Sequence, residues 1–302
     1  MQENRSRASY VINNYGAIFA FVAVVTVFSI ATDSFFRWEN FKTMLVQSTS
    51  LGICAFGLTL ILMTGEIDFS YGGIIGLAGA VLANMLQAGY SPIVSTCACL
   101  SIGVATGLLN ALLVVGLNLS SFLSTVAVMF VCMGTERMVN QGTTVWIKNE
   151  SVLQAVQGHI GPFPTPIVIL ISLFLICWIL QTQTRTGQNV RALGENMQAV
   201  KEAGIRSKVL KTMVFIVGGL LFAFGGWIET LRNGGAVMYA GKQLLLFVLA
   251  ASYIGTATFK AGKPNLPGTL IGAFFLITLM NGFTLMGMKF YFVPLAQGLI
   301  LI

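Results

Sequence analysis

A chain of 302 residues that is 56% hydrophobic and only 9% charged cannot cover the surface of a soluble fold. The mean hydropathy of +0.83 excludes a disordered chain as well. The net charge of +7 is spread along the sequence, without a basic patch interleaved with aromatics, so nucleic acid is not an expected partner.

The composition is that of an all-α polytopic membrane protein. A spanning helix needs about 20 mostly apolar residues. Apolar runs predict ten, near 15–32, 45–63, 69–88, 92–117, 119–138, 166–180, 211–231, 244–259, 267–287 and 289–302, several of them short or broken. The first is not a signal peptide, because no small-residue cleavage site follows it. Instead Asp33-Ser34-Phe35-Phe36-Arg37-Trp38 reads as an interfacial exit.

Orientation follows from Lys and Arg. The 181–211 loop carries Arg185, Arg191, Lys201, Arg206, Lys208 and Lys211, which places it in the cytoplasm. With ten alternating spans, Arg5 and Arg7 at the N-terminus and the loop at Lys260 and Lys263 fall on that same side, and the 139–165 loop falls outside. The chain is expected to form a single transmembrane domain over 1–302, with an N-terminus in the cytoplasm. Its last run, 289–302, is about 21 Å long as a helix and reads as missing a short tail.

Five cysteines lie in apolar runs and read as packing thiols, and the lone histidine, His159, reads as a solvated loop residue, so no metal site is expected. Between the second and third runs, Met63-Thr64-Gly65-Glu66-Ile67-Asp68-Phe69-Ser70-Tyr71-Gly72-Gly73 breaks and restarts the helix. Asp68 or Ser70 can cap the restarting helix, or the break can line a polar path where irregular backbone is tolerated. Asn281 and Thr284 form one polar stripe toward a neighbouring helix or a pore. Asp68, Ser70, Asn281 and Thr284 are therefore the candidate pathway residues.

Gly72, Gly76, Gly103 and Gly107 are spaced for close helix packing. Glu136-Arg137 and Glu229/Arg232 read as charge pairs or as side chains snorkelling to the outer interface. In the 181–211 loop, Asn196 can cap a short helix whose small face is Ala199 and Ala203 and which Gly204 ends. Phosphate-binding Gly-Lys-Ser/Thr, His-pair and Gly-x-Ser-x-Gly motifs are absent, so the chain has no energy source or catalytic group of its own, and no cofactor is expected.

These residues resemble the sugar ABC-transporter permeases of the ribose, arabinose and xylose type. The resemblance runs through Ile67-Asp68-Phe69-Ser70, Pro164-Thr165-Pro166, Gly194-Glu195-Asn196 with Ala199 and Ala203-Gly204-Ile205, and Pro267-Gly268-Thr269-Leu270-Ile271-Gly272-Ala273 with Asn281-Gly282 and Gly287. It departs from the family pattern at Glu195 and Ala203, in Gly241-Lys242-Gln243-Leu244 and in Tyr253-Ile254-Gly255-Thr256.

The resemblance implies a ten-helix permease subunit in the inner membrane, paired with a second permease subunit as a homo- or heterodimer. It implies a cytoplasmic ATP-binding subunit docked on Gly194, Glu195, Asn196, Ala199, Ala203, Gly204 and Ile205, and a periplasmic or lipid-anchored solute-binding protein. A monosaccharide is the expected solute, with a nucleoside or branched-chain amino acid as the alternative. A receptor or enzyme using an Asp68/Asn281 polar layer is the reading from a different class.

Overall fold

The computed structural model describes residues 2–259 and 262–288, together with positions 292, 295 and 298. The run predicted at 289–302, and Lys260, lie largely or wholly outside the described residues. Twelve α-helices are described: α1 (Gln2–Ala31), α2 (Trp38–Leu62), α3 (Tyr71–Gln87), α4 (Pro92–Ala111), α5 (Ser121–Val139), α6 (Glu150–Gln157), α7 (Thr165–Gln183), α8 (Arg185–Glu195), α9 (Met197–Glu202), α10 (Ser207–Asn233), α11 (Ala240–Thr256) and α12 (Leu266–Leu285). A π-helical turn, Leu112–Gly116, extends α4. Two-residue strands pair antiparallel: β1 (Val145–Trp146) with β4 (Gly235–Ala236), and β2 (His159–Ile160) with β3 (Phe163–Pro164).

Nine of the predicted apolar runs become helices within a few residues of their expected ends, except that α1, α2, α10 and α11 start earlier. Six helices are long and apolar enough to cross a membrane, and Ile18–Ala31, α3 and α11 are shorter apolar helices. The 139–165 loop is more ordered than the sequence suggests, since it holds α6 and three strands.

Helices α2, α3 and α10 form the interior. Every residue of α2 from Ser48 to Thr59 is buried, as is all of α3 from Tyr71 to Ala80. Small residues permit this density. A methyl group at Gly103 of α4 would overlap the carbonyl oxygen of Gly219 on α10, and one at Gly107 would lie 2.5 Å from the Phe215 carbonyl oxygen. The expected packing role of Gly103 and Gly107 is therefore met by backbone-to-backbone contact between α4 and α10. By contrast, α1 packs mainly on α12.

The architecture repeats. Helices α10 and α11 begin 169 residues after α2 and α3 (Trp38 to Ser207, Tyr71 to Ala240), and the left-handed glycines that follow α2 and α10 keep that spacing (Gly65 to Gly234). The packing repeats too: α2 packs on α12 as α10 packs on α4, and α3 on α4 as α11 on α12. In each half a long helix ends, an irregular segment turns back into the bundle, and a 17-residue helix restarts inside it. The first turns of these short helices meet: a methyl at Gly241 would overlap the Gly72 carbonyl oxygen, and the Tyr71 hydroxyl donates to the Leu245 carbonyl (2.8 Å).

Candidate functional site

One end of the bundle gathers the end of α2, the α4–α5 turn, α8, α9 and the start of α12. The predicted basic loop is two helices, not one. Thr184 caps α8, accepting from the Gly187 amide (3.1 Å), and Asn196 caps α9 as expected, accepting from the Ala199 amide (3.0 Å). At the other end of α9, Gly204 is left-handed (φ +74). Its amide donates to Lys201 O and the Ile205 amide donates to Val200 O, a Schellman closure that fixes the helix at six residues.

Val200 is buried and Ile205 half-buried, which holds α9 against the bundle. Ala199, Ala203 and Gly204 are exposed, together with Gln198 and Glu202, which share a hydrogen bond (3.0 Å). The small face thus points outward. Gly194 behaves differently: a methyl there would overlap the Met63 carbonyl oxygen, so this glycine lets α8 touch the end of α2 within the same chain. Glu195 is exposed and bonded to Lys263 (2.5 Å).

Between α2 and α3, residues 64–70 run as an irregular inserted segment. The Ile67 and Phe69 amides donate to the hydroxyls of Ser121 (3.4 Å) and Thr125 (3.0 Å) in the first two turns of α5. Tyr71 already lies beside Phe222 near the middle of α10 (ring centroids 5.4 Å). The helix therefore restarts deep in the bundle, where non-helical backbone persists because side chains satisfy it.

Asp68 and Ser70 are fully buried. Ser70 stands at the N-cap position but makes no side-chain cap. Asp68 accepts from the Ser70 amide (2.7 Å) and the Ser70 hydroxyl (2.5 Å). The expected capping of helix amides is thus replaced by a turn that Asp68 closes on Ser70. Asn110, which the sequence reading missed, donates to Asp68 Oδ2 (3.1 Å) and Ser70 Oγ (2.8 Å), and it immediately precedes the last residue before the π turn.

Asn281 is elsewhere. Its side-chain amide exchanges two hydrogen bonds with Asn40 at the start of α2 (2.9 and 2.8 Å). Thr284 is exposed, its hydroxyl bonded to Met280 O within α12 (2.9 Å). Asn281 is tied to Asn40 at the start of α2, whereas Asp68 is tied to Ser70 and Asn110, so the two share no hydrogen-bond partner. Asp68 and Asn281 therefore form no common polar layer, and the receptor or enzyme reading built on one falls with it.

Other expected pairs divide. Glu229 binds Arg232 (2.7 Å) as anticipated, with Asn233 also donating to Glu229 (3.0 Å). Glu136 does not pair with Arg137; it turns inward and accepts from the Tyr239 amide (2.9 Å), while Arg137 stays exposed. Four cysteines are buried packing thiols, but Cys97 is exposed on α4. No cluster of metal-ligating side chains occurs among the described residues.

Apolar helices that bury their polar groups on one another, with two crossings broken inside the bundle, define a multi-pass α-helical membrane protein. The chain belongs to the family described as branched-chain amino acid transport system / permease component, whose profile matches residues 40–302. It is similar to the ribose import permease protein RbsC of Escherichia coli K12, with 29% identity over 95% of this chain and 90% of that protein. RbsC of Bacillus subtilis 168 is likewise 29% identical, over 100% and 94%. The D-allose transport system permease protein AlsC of E. coli K12 is 26% identical over 95% and 88%. No solved structure matches.

Proposed function

We propose that this chain is the membrane-spanning subunit of an ATP-driven importer of a monosaccharide. The observation that carries the reading is similarity along nearly the whole chain to permeases of ribose and allose transport. The exposed small-faced α9 at the basic end supports it physically.

In this reading the basic end faces the cytoplasm of an inner-membrane protein with ten spans, the tenth being 289–302, and with its N-terminus inside. The Gly194–Ile205 stretch is the ATPase-docking element: Ala199, Ala203 and Gly204 meet the partner, while Gly194 and Ile205 hold the element on its own chain. A second permease subunit completes the pathway, and an external binding protein delivers solute to the opposite end. Asp68 and Ser70 act on that pathway by fixing the inserted segment, and Asn281 and Thr284 stand near its outer end.

Proteoliposomes holding the chain, its ATPase and its binding protein should accumulate labelled ribose or a related sugar when ATP is present, and the chain alone should hydrolyse no ATP. The second reading, a branched-chain amino acid importer, is favoured by the description of the family. Uptake of leucine with no sugar uptake would select it, and ATP turnover by the pure chain would overturn both.

A further inference from the structure

We propose that the Lys211–Glu66 ion pair is the strut through which movement of α9 reaches the inserted segment. The inference rests on the reading of α9 as the ATPase-docking helix and names how that site is coupled to the bundle.

Two contacts from the α8–α10 region bracket the left-handed Gly65. On one side the α8 backbone at Gly194 lies against the Met63 carbonyl. On the other, Lys211, in the second turn of α10, holds Glu66. The α9 helix is tied to this frame by buried Val200 and by the Ile205 closure, and only Ala203–Arg206 separates α9 from α10. A push on α9 therefore has a short route to Lys211.

The pair is shielded: the side chains are 12% and 18% exposed, against 59% for both members of the Lys263–Glu195 pair nearby. Attraction between charges withdrawn from water is screened less, so Lys211–Glu66 can transmit force where Lys263–Glu195 cannot. Glu66 also sits on compliant backbone, outside any helix. Two residues further on, Asp68 passes the constraint to Ser70 and Asn110, at the start of α3 and the end of α4.

The test uses the full complex of the chain with its ATPase and binding protein, read as sugar moved per ATP hydrolysed. Lys211→Met and Glu66→Gln should each lower that ratio at least fivefold, with basal hydrolysis and ATPase co-purification unchanged. Lys211→Arg should stay coupled, and the swap Glu66→Lys with Lys211→Glu should return the ratio to within twofold. Lys263→Met is the exposed control and should change nothing. An unchanged ratio in the single variants, or a swapped pair that assembles but stays uncoupled, would overturn the strut. Loss of the ATPase from Lys211→Met complexes would overturn it too, by moving Lys211 into the docking contact. Sugar uptake by the wild-type chain without any ATPase would instead overturn the docking reading, whatever Lys211 does.

Discussion

Residues 64–70 and 234–239 both leave a long helix through a left-handed glycine and turn back into the bundle, but their backbone groups are satisfied by different partners. In the first, the amides of Ile67, Phe69 and Ser70 are taken by Ser121, Thr125 and Asp68, all side chains. In the second, Gly235 and Ala236 pair as a strand with Trp146 and Val145, the Gly234 carbonyl accepts from Ile147 (2.9 Å), and only Tyr239 uses a side chain, Glu136. The comparison teaches where each segment is anchored. The first is tied to α4, α5 and the basic end, the second to the loop at the opposite end. A transporter that must open alternately at its two ends has, in these segments, separately anchored elements.

The largest expected effect is on the first segment. Asp68→Ala removes the acceptor of the Ser70 amide, of the Ser70 hydroxyl and of one Asn110 N–H inside the bundle, which costs about 3 kcal/mol of stability. Asp68→Asn keeps the shape and the oxygen facing Ser70 but sets an amide NH2 where Asn110 donates, so it should recover only part of that loss. Asp68→Ser is too short to reach both partners and should recover less. Melting of the purified variants in detergent measures the series, and full rescue by Ser would show that Asp68 serves as a simple cap.

The meeting point of the two short helices sharpens the comparison. A methyl at Gly241 meets the Gly72 backbone, whereas one at Gly72 meets the ends of flexible side chains, Leu245 (2.7 Å) and Met129 (3.1 Å). Gly241→Ala should therefore cost about 1–3 kcal/mol, and Gly72→Ala clearly less. Equal melting temperatures for the two variants would mean the helices do not meet this way.

The smallest effect belongs to Glu136, the side chain that holds the Tyr239 amide of the second segment. Glu136→Ala removes one acceptor and should cost about 1 kcal/mol, while Glu136→Gln, which keeps an oxygen for the Tyr239 amide, should cost little. A loss as large as that of Asp68→Ala would erase the distinction between the segments.

Nine of the apolar runs were legible as helices because a bilayer demands long apolar stretches, which stand out regardless of tertiary detail. The α9 ends were legible because Asn196 and Gly204 act locally, through a cap and a left-handed turn. The repeat was hidden: it is carried by backbone shape, while the residues differ, with Val237 standing where Asp68 stands and Tyr239 where Ser70 stands. Asn110 looked like one polar residue in an apolar run, although an asparagine beside a helix irregularity is itself a signal. Glu66 and Lys211 are 145 residues apart, and no local pattern joins them. Helix α8 was missed because eleven polar-faced residues make no membrane-length run.

In the proposed reading the ATPase docks on this chain at α9, and Ala203→Trp tests that contact. Ala203 is exposed, so a bulky side chain there disturbs nothing within the chain and should change its own stability by no more than about 0.5 kcal/mol. In membranes containing both partners, co-purification of the ATPase and ATP-coupled sugar uptake should both collapse, while the variant inserts at wild-type level. Normal co-purification and normal uptake in Ala203→Trp would contradict the account.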